Sequence, residues 1–395
     1  MSLVALAVLV LAASPPAAEA HDGEHDLDPL VFDVIQVSGL VDRILADFIE
    51  RSIDSAEADG SGGVILRVNS SGDVIGDERL REVAEAIHDA DVPVYAWVGP
   101  SGAKAEGGVA QLVAATDEMA VAVGARFGKT GELVFPDLLP ERYLDVAPGL
   151  VDRTVDEEGV IELGLATRDS PTLGFFALDL PGFESEIDTS GDEPVRVPVS
   201  PVRFTKLSLV NGWMHNFASP AMAYLMFLIG AALLIFEFYT AGVGIAGVVG
   251  AVCFIIGSYG LDVLPTRAWA LALLVVAMLG YAVDVQVGVP RLWSAIATAC
   301  LVIGSLFLYD GMAISWITLV AGILGISLGM ISGMPSMIRT RFGTPTIGRE
   351  WMVGKMAEAA HDIRKEGVVM VDGAPWRARV NRTTPIAAGD PVRIV

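Results

Sequence analysis

The chain has 395 residues, 53% of them hydrophobic and only 19% charged, with a formal net charge of −22. The charge is unevenly placed: residues 21–210 hold 37 Asp and Glu against 14 Lys and Arg, whereas 338–395 hold ten basic and six acidic residues. The acidic front excludes a phosphate-backbone-binding role for the large first domain, and a cysteine content of two, Cys253 and Cys300, excludes a disulfide framework.

In chain order, 3–13 is an apolar run too short to span a bilayer. It is followed by Ser14-Pro15-Pro16 and a small-x-small site at Ala18-Glu19-Ala20. That pattern reads as a secretory signal over 1–20, although no Lys or Arg precedes the run. His21 and His25 beside Asp22, Glu24 and Asp26 read as solvated linker, and neither a metal nor another cofactor is called for. From 31 the pattern alternates strand and helix. Strands are expected at 31–37, 64–68, 94–98 and 119–123, with helices at 40–57, 77–88 and 107–115. An α/β domain with a mostly parallel sheet follows, spanning 21–180. His88 closes its helix as an end or solvated residue. A Pro- and acid-rich stretch within 181–218 reads as linker, partly extended.

Between 220 and 335 the only charges are Glu237, Asp262, Arg267, Asp284, Arg291 and Asp310. Backbone polar groups have no partners in hydrocarbon, so 219–335 must be helices that satisfy themselves, a bundle of four to five spans. Interruptions place the spans near 220–238, 245–261, 268–287, 293–309 and 312–333, the second and fourth short and Gly-rich. Five spans put the first domain outside and the tail in the cytoplasm. Arg339, Arg341, Arg349 and Lys355 against Arg203 and Lys206 agree with that orientation. A shift of 47 residues lays Glu237 on Asp284, Cys253 on Cys300, Gly257 on Gly304 and Ser258 on Ser305, the mark of a duplicated unit. The two acids are either interfacial carboxylates or an ion or proton site. Gly242, Gly244, Gly247 and Gly250 suit close helix packing.

The tail, 336–395, shows short strand patterns at 350–358, 367–371, 374–380 and 391–395. Asp372-Gly373 is a hairpin turn signal. A small five-stranded barrel of the OB type fits. Trp351, Trp376, Arg377, Arg379 and Arg382 make a poor nucleic-acid site, because a net charge of +4 is thin for that and arginines under an anionic leaflet have an ordinary role. A protein partner suits such a barrel better.

Particular motifs carry a family resemblance. Asn69-Ser70-Ser71-Gly72 and Gly102-Ala103-Lys104-Ala105-Glu106-Gly107-Gly108 resemble the loops of the Clp-type and crotonase-like superfamily. The runs 235–244 and 247–250, then Gly367-Val368-Val369-Met370-Val371-Asp372-Gly373-Ala374-Pro375-Trp376-Arg377-Ala378, resemble long-form NfeD proteins. That resemblance implies a membrane-bound serine protease with a Ser–Lys dyad, a C-terminal OB domain, homo-oligomerisation and a stomatin/flotillin-type (SPFH) partner. This chain departs from it at the chemistry. Gly107 stands where the resemblance places the nucleophile, Gly72-Asp73 replaces the Gly-Gly oxyanion loop, and no lysine occurs between Lys129 and Lys206. The stretch 131–160 is also short and Pro-interrupted for the base-bearing helix. Ser70 and Ser71 read as loop-backbone partners. The expectation is a non-catalytic, membrane-anchored scaffold or adaptor in the cell membrane, in contact with lipid. The alternatives are an active protease using Ser101 with Lys104, or Ser71, and transport through the duplicated bundle.

Overall fold

The computed structural model describes residues 29–166, 170–190, 194–240, 244–287, 292–342, 348–380 and 385–395. The signal at 1–20, the His21–His25 cluster, Gly242, Arg291 and Arg382 lie outside the described residues.

The first domain is built on a five-stranded parallel sheet. Its elements in chain order are β1 (Phe32–Ser38), α1 (Arg43–Ala58), β2 (Gly63–Asn69), α2 (Asp77–His88), β3 (Val94–Val98), β4 (Lys104–Glu106), α3 (Gly108–Ala114), β5 (Glu118–Val121), β6 (Arg126–Gly128), α4 (Glu141–Leu144), β7 (Thr154–Val155), α5 (Glu157–Glu162) and α6 (Leu173–Leu178). β3 is buried at every position, as expected of a parallel strand covered on both faces. α1 sends Leu45, Ile49, Ile53 and Ala56 into the core at helical spacing, and Asp42 caps it by accepting from the Leu45 amide at 2.9 Å. A second, three-stranded sheet runs β4-β6-β7.

The stretch expected to be a linker is largely structured. β8 (Ser185–Asp188) and β9 (Val195–Pro198) form an antiparallel ribbon, and β10 (Val202–Thr205) completes the main sheet in the order β10-β1-β2-β3-β5. β10 lies parallel to β1, Phe32 opposite Val202 through Ile35 opposite Thr205. Arg203 fixes that register: its guanidinium clasps the buried Asp33 at 2.5 and 2.9 Å and reaches Asp59 at 2.7 Å. α7 (Leu209–Phe217) then leads to the bundle.

The membrane helices are α8 (Pro220–Thr240), α9 (Ile245–Val263), α10 (Ala268–Val287), α11 (Leu292–Leu306) and α12 (Trp316–Leu328). α12 passes through a π turn at Gly329–Gly333 into α13 (Met334–Phe342). Among the described residues four helices are long and apolar enough to cross a bilayer, the last over Trp316–Ile338, and α11 is shorter at 15 residues. The expected start of the last span at 312 moves to 316.

The 47-residue repeat has a three-dimensional counterpart. α8 and α9 approach so closely that a Cβ on Gly257 would lie 2.2 Å from the Phe227 amide nitrogen. Forty-seven residues on, a Cβ on Gly304 would lie 2.9 Å from Leu274 Cδ2. Gly250 against Leu233 likewise corresponds to Ala297 against Gly280. Glycine is required at these crossings because main chain or a close side chain fills the space.

The tail is all antiparallel, β11 (Met356–Ala359), β12 (Glu366–Val371), β13 (Ala374–Arg379) and β14 (Pro391–Arg393), in the order β13-β12-β11-β14, consistent with an OB-like fold. An isolated bridge joins Ile363 to Ile386. The strand expected from 350 begins only at Met356, because Glu350–Met352 is a 3-10 turn. Asp372 and Gly373 both adopt positive φ, 51° and 81°, between β12 and β13.

Candidate functional site

Three places gather the residues that the sequence marks out. The first is the turn between β4 and α3. Gly107 is the N-cap of α3 with φ +64°, and its amide donates to the Lys129 carbonyl at 3.1 Å. The next amide, Gly108, opens the helix and would be the natural donor to a developing oxyanion. It donates instead to Asp73 Oδ2 at 3.0 Å. A Cβ on Gly108 would lie 2.4 Å from that same oxygen, so the carboxylate fills the space over the helix start. Burial pushes the Asp73 carboxyl up from the ordinary range. The Gly108 N–H holds it down in part, and Asp77 adds to the rise.

Gly72 has φ +138° and its carbonyl accepts from Ser70 Oγ at 2.8 Å and from the Val41 amide at 3.0 Å. Ser70 is thus a buried loop-backbone partner, while Ser71 is exposed. Val74 N–H returns to the Val41 carbonyl at 2.9 Å, tying this loop to the start of α1.

Ser101 and Lys104 do not share a helix: Ser101 is exposed in a turn and Lys104 is the first residue of β4. Lys104 Nζ lies 3.7 Å from Glu106 Oε1, and Lys129 Nζ lies 3.8 Å from the same oxygen. The Glu106 pairing with two lysines beside Gly107 was not visible in the sequence, since Lys129 arrives from a neighbouring loop. Both ammonium groups face the Glu106 carboxylate. Residues 131–160 hold 3-10 turns at Pro136–Leu138 and Ala147–Gly149, the four-residue α4, β7 and α5.

The second place is the pair of intramembrane acids. Glu237, near the end of α8, accepts from the Gly244 amide at 3.1 Å and the Gly247 amide at 3.3 Å at the start of α9. Asp284, near the end of α10 and 4% exposed, accepts from the Ser294 amide at 2.6 Å at the start of α11. Gly247 and Ser294 are themselves 47 residues apart. Each acid therefore serves the first turn of the following helix, where orphan N–H groups and the helix dipole favour a negative charge.

The third place is on the tail. Trp351 and Trp376 meet edge to face at 6.3 Å, Lys355 Nζ sits 4.6 Å over the Trp351 ring, and it also reaches Asp372 Oδ2 at 2.5 Å. The Trp376 indole nitrogen is buried without a hydrogen-bond partner among the described residues. Arg377 is separated from this group. As the next residue along β13 it points to the opposite face, 85% exposed in its side chain and 3.3 Å from Glu366.

Two family models match the chain: residues 221–334 match the NfeD integral membrane domain, and 349–395 match the NfeD-like C-terminal, partner-binding domain. The whole chain aligns at 22% identity with 95% of the membrane-bound protease PH1510 of Pyrococcus horikoshii. Among solved structures, a 1510-N membrane-bound stomatin-specific protease mutant in complex with a substrate peptide is 15% identical. It covers 48% of this chain and 98% of its own, with a TM-score of 0.40. The 1510-N membrane protease specific for a stomatin homolog from Pyrococcus horikoshii is 16% identical over 47% of this chain and 98% of its own, with a TM-score of 0.38.

Proposed function

We infer that the chain is built on the NfeD plan, because residues 221–334 match the NfeD integral membrane domain, 349–395 match the NfeD-like C-terminal domain, and the whole chain aligns at 22% identity with a membrane-bound protease. From that premise we propose that it is a non-catalytic scaffold or adaptor that holds a protease-like domain outside the cell membrane and a partner-binding domain in the cytoplasm. Its partner is an SPFH protein of the stomatin/flotillin type, and it works as a homo-oligomer. The observation that carries the proposal is the Asp73 carboxylate on the Gly108 amide beside a residue, Gly107, that has no side chain to acylate. An acyl-transfer centre needs a nucleophile and a free donor for the oxyanion. Here a glycine replaces the first, and a negative charge occupies and repels at the second.

The partner assignment is supported by the C-terminal match, whose family is described as partner-binding. Its stomatin/flotillin type rests on the resemblance carried by the motifs at 235–250 and 367–378. A protease using Ser101 or Ser71 is the rival, kept because the full-length relative is named a protease. Fluorophosphonate labelling of the full chain in membranes decides between them. No adduct is expected. A stoichiometric adduct lost on Ser101→Ala or Ser71→Ala overturns the scaffold reading. Affinity capture from the same membranes should bring down an SPFH protein, and Trp351→Ala should weaken that capture.

A further inference from the structure

α7 is inside out by the rules of a soluble surface helix. Leu209, Val210 and Trp213 are 77%, 69% and 59% exposed, and the Phe217 ring packs on Trp213 at 5.7 Å. At 100° per residue these four positions share one arc about 100° wide. The opposite side is polar and faces the chain's own first domain. There Ser208 and Asn211 border a cavity of about 470 Å³ with Asp33 and Arg203. His215 Nε2 lies 2.8 Å from the Ser38 carbonyl, and its Nδ1 lies 3.0 Å from Asp42 Oδ1. The helix is thus gripped by its polar face and offers its apolar face outward.

The occupant of that face follows from continuity. α8 begins at Pro220, three residues after α7 ends, and carries no charge before Glu237 near its far end. Three residues of chain span about 10 Å at most, so α7 cannot lie far from the point where the chain enters hydrocarbon. A Trp beside aliphatic residues at that depth is the composition of a bilayer interface. We infer that α7 lies in the lipid headgroup layer, with Leu209, Val210, Trp213 and Phe217 in contact with acyl chains. It sets the orientation of the first domain against the membrane. The loop carrying Asp73 is linked to this contact, because Val41, between the domain's Leu40 and the His215 partner Asp42, bonds to Gly72 and Val74. Leu40 and Val74 themselves pack against the apolar core of the bundle.

The test uses the full chain in phosphatidylcholine–phosphatidylglycerol nanodiscs, with Cys253→Ala and Cys300→Ala so that single cysteines can be spin-labelled. Labels at Val210→Cys and Trp213→Cys should collide with oxygen and be shielded from an aqueous nickel chelate several-fold better than a label at Glu186→Cys on the exposed β8. Equal nickel access at 210 and 186 overturns the inference. So does strong label–label coupling at 210 without lipid contact, which would mean that a second copy covers the face. Val210→Cys carries the test alone should Trp213→Cys not fold.

Discussion

The first domain and the bundle use one device for opposite ends. In each, a carboxylate sits on the opening amides of a helix: Asp73 on α3, Glu237 on α9 and Asp284 on α11. At the packed helix starts of the bundle the carboxylate supplies the partner that an orphan amide needs, so the acid completes the fold. In the first domain the same amide would remain useful if left open, because water or a reacting carbonyl could take it. In the proposed scaffold, filling it there removes a chemistry instead of completing a structure. A carboxylate at a helix start is therefore read by what else could have occupied the position.

The bundle should break first. Gly257→Leu places a side chain on the Phe227 main chain and should cost about 3 kcal/mol, at the upper end of overpacking penalties, read as a fall in the detergent-unfolding midpoint. Its repeat counterpart, Gly304→Leu, meets Leu274 Cδ2 and the Ala270 carbonyl at 2.9 Å and should cost less, because one of those neighbours is a movable side-chain tip. Next in size is Asp284→Ala, which leaves the Ser294 amide unserved in the bundle. A loss of about 2 kcal/mol is expected, measured in the same way.

His215 gives a smaller, pH-dependent effect. Burial alone would lower its pKa, but Asp42 beside Nδ1 and the Ser38 carbonyl raise it above the ordinary value. A base with a raised folded pKa stabilises fully below its unfolded pKa of about 6.5 and loses that contribution as pH rises through the folded value. Protease resistance of the α7 junction should therefore fall as pH rises above about 6.5, and His215→Asn should flatten that profile. Asp73→Asn should have the least effect on folding and sharpens the comparison most. It keeps an oxygen for Gly108 while removing a buried charge. An acid with a raised folded pKa costs stability above that pKa, so the native protein should gain stability as pH falls through that value toward the unfolded carboxylate pKa of about 3.9. Urea midpoints of Asp73→Asn should lose that dependence and lie above those of the parent at neutral pH. Equal sensitivity of Asp73 and Asp284 to replacement would erase the distinction between the two regions.

Much of the first domain was legible because its signals are local. Apolar runs and helical spacing place α2 at 77–88 and β3 at 94–98, the bounds the structure has. β10 was not legible: Arg203 meets Asp33 across 170 residues, and a four-residue strand in a Pro-rich stretch has no periodicity to announce it. α7 escaped for a related reason, since an apolar face exposed beside a membrane looks, in sequence, like the approach to a span. At the turn before α3 the glycine at 107 and, on the loop after β2, the acid at 73 could be read from the motifs. That Asp73 would bond the Gly108 amide depends on how two loops meet. The acids at 237 and 284 with the Cys and Gly-Ser matches at 253, 257–258 and 300, 304–305 showed the duplication, but the acids' capping bonds emerged only when each helix pair folded back on itself. The tail's Trp351–Trp376 contact joins a 3-10 turn to β13, and alternation along β13 then divides Trp376 from Arg377, which the sequence had grouped.

Because α9 runs back along α8 and α11 back along α10, each copy of the duplicated unit returns the chain to the face from which it set out. Excising either copy would leave the side on which the chain emerges untouched. In the proposed arrangement the single helix α12–α13, which lies outside both copies, alone makes the partner-binding end come out opposite the end that entered. On that proposal one odd helix makes the molecule a connector between compartments, and the doubled part only thickens it.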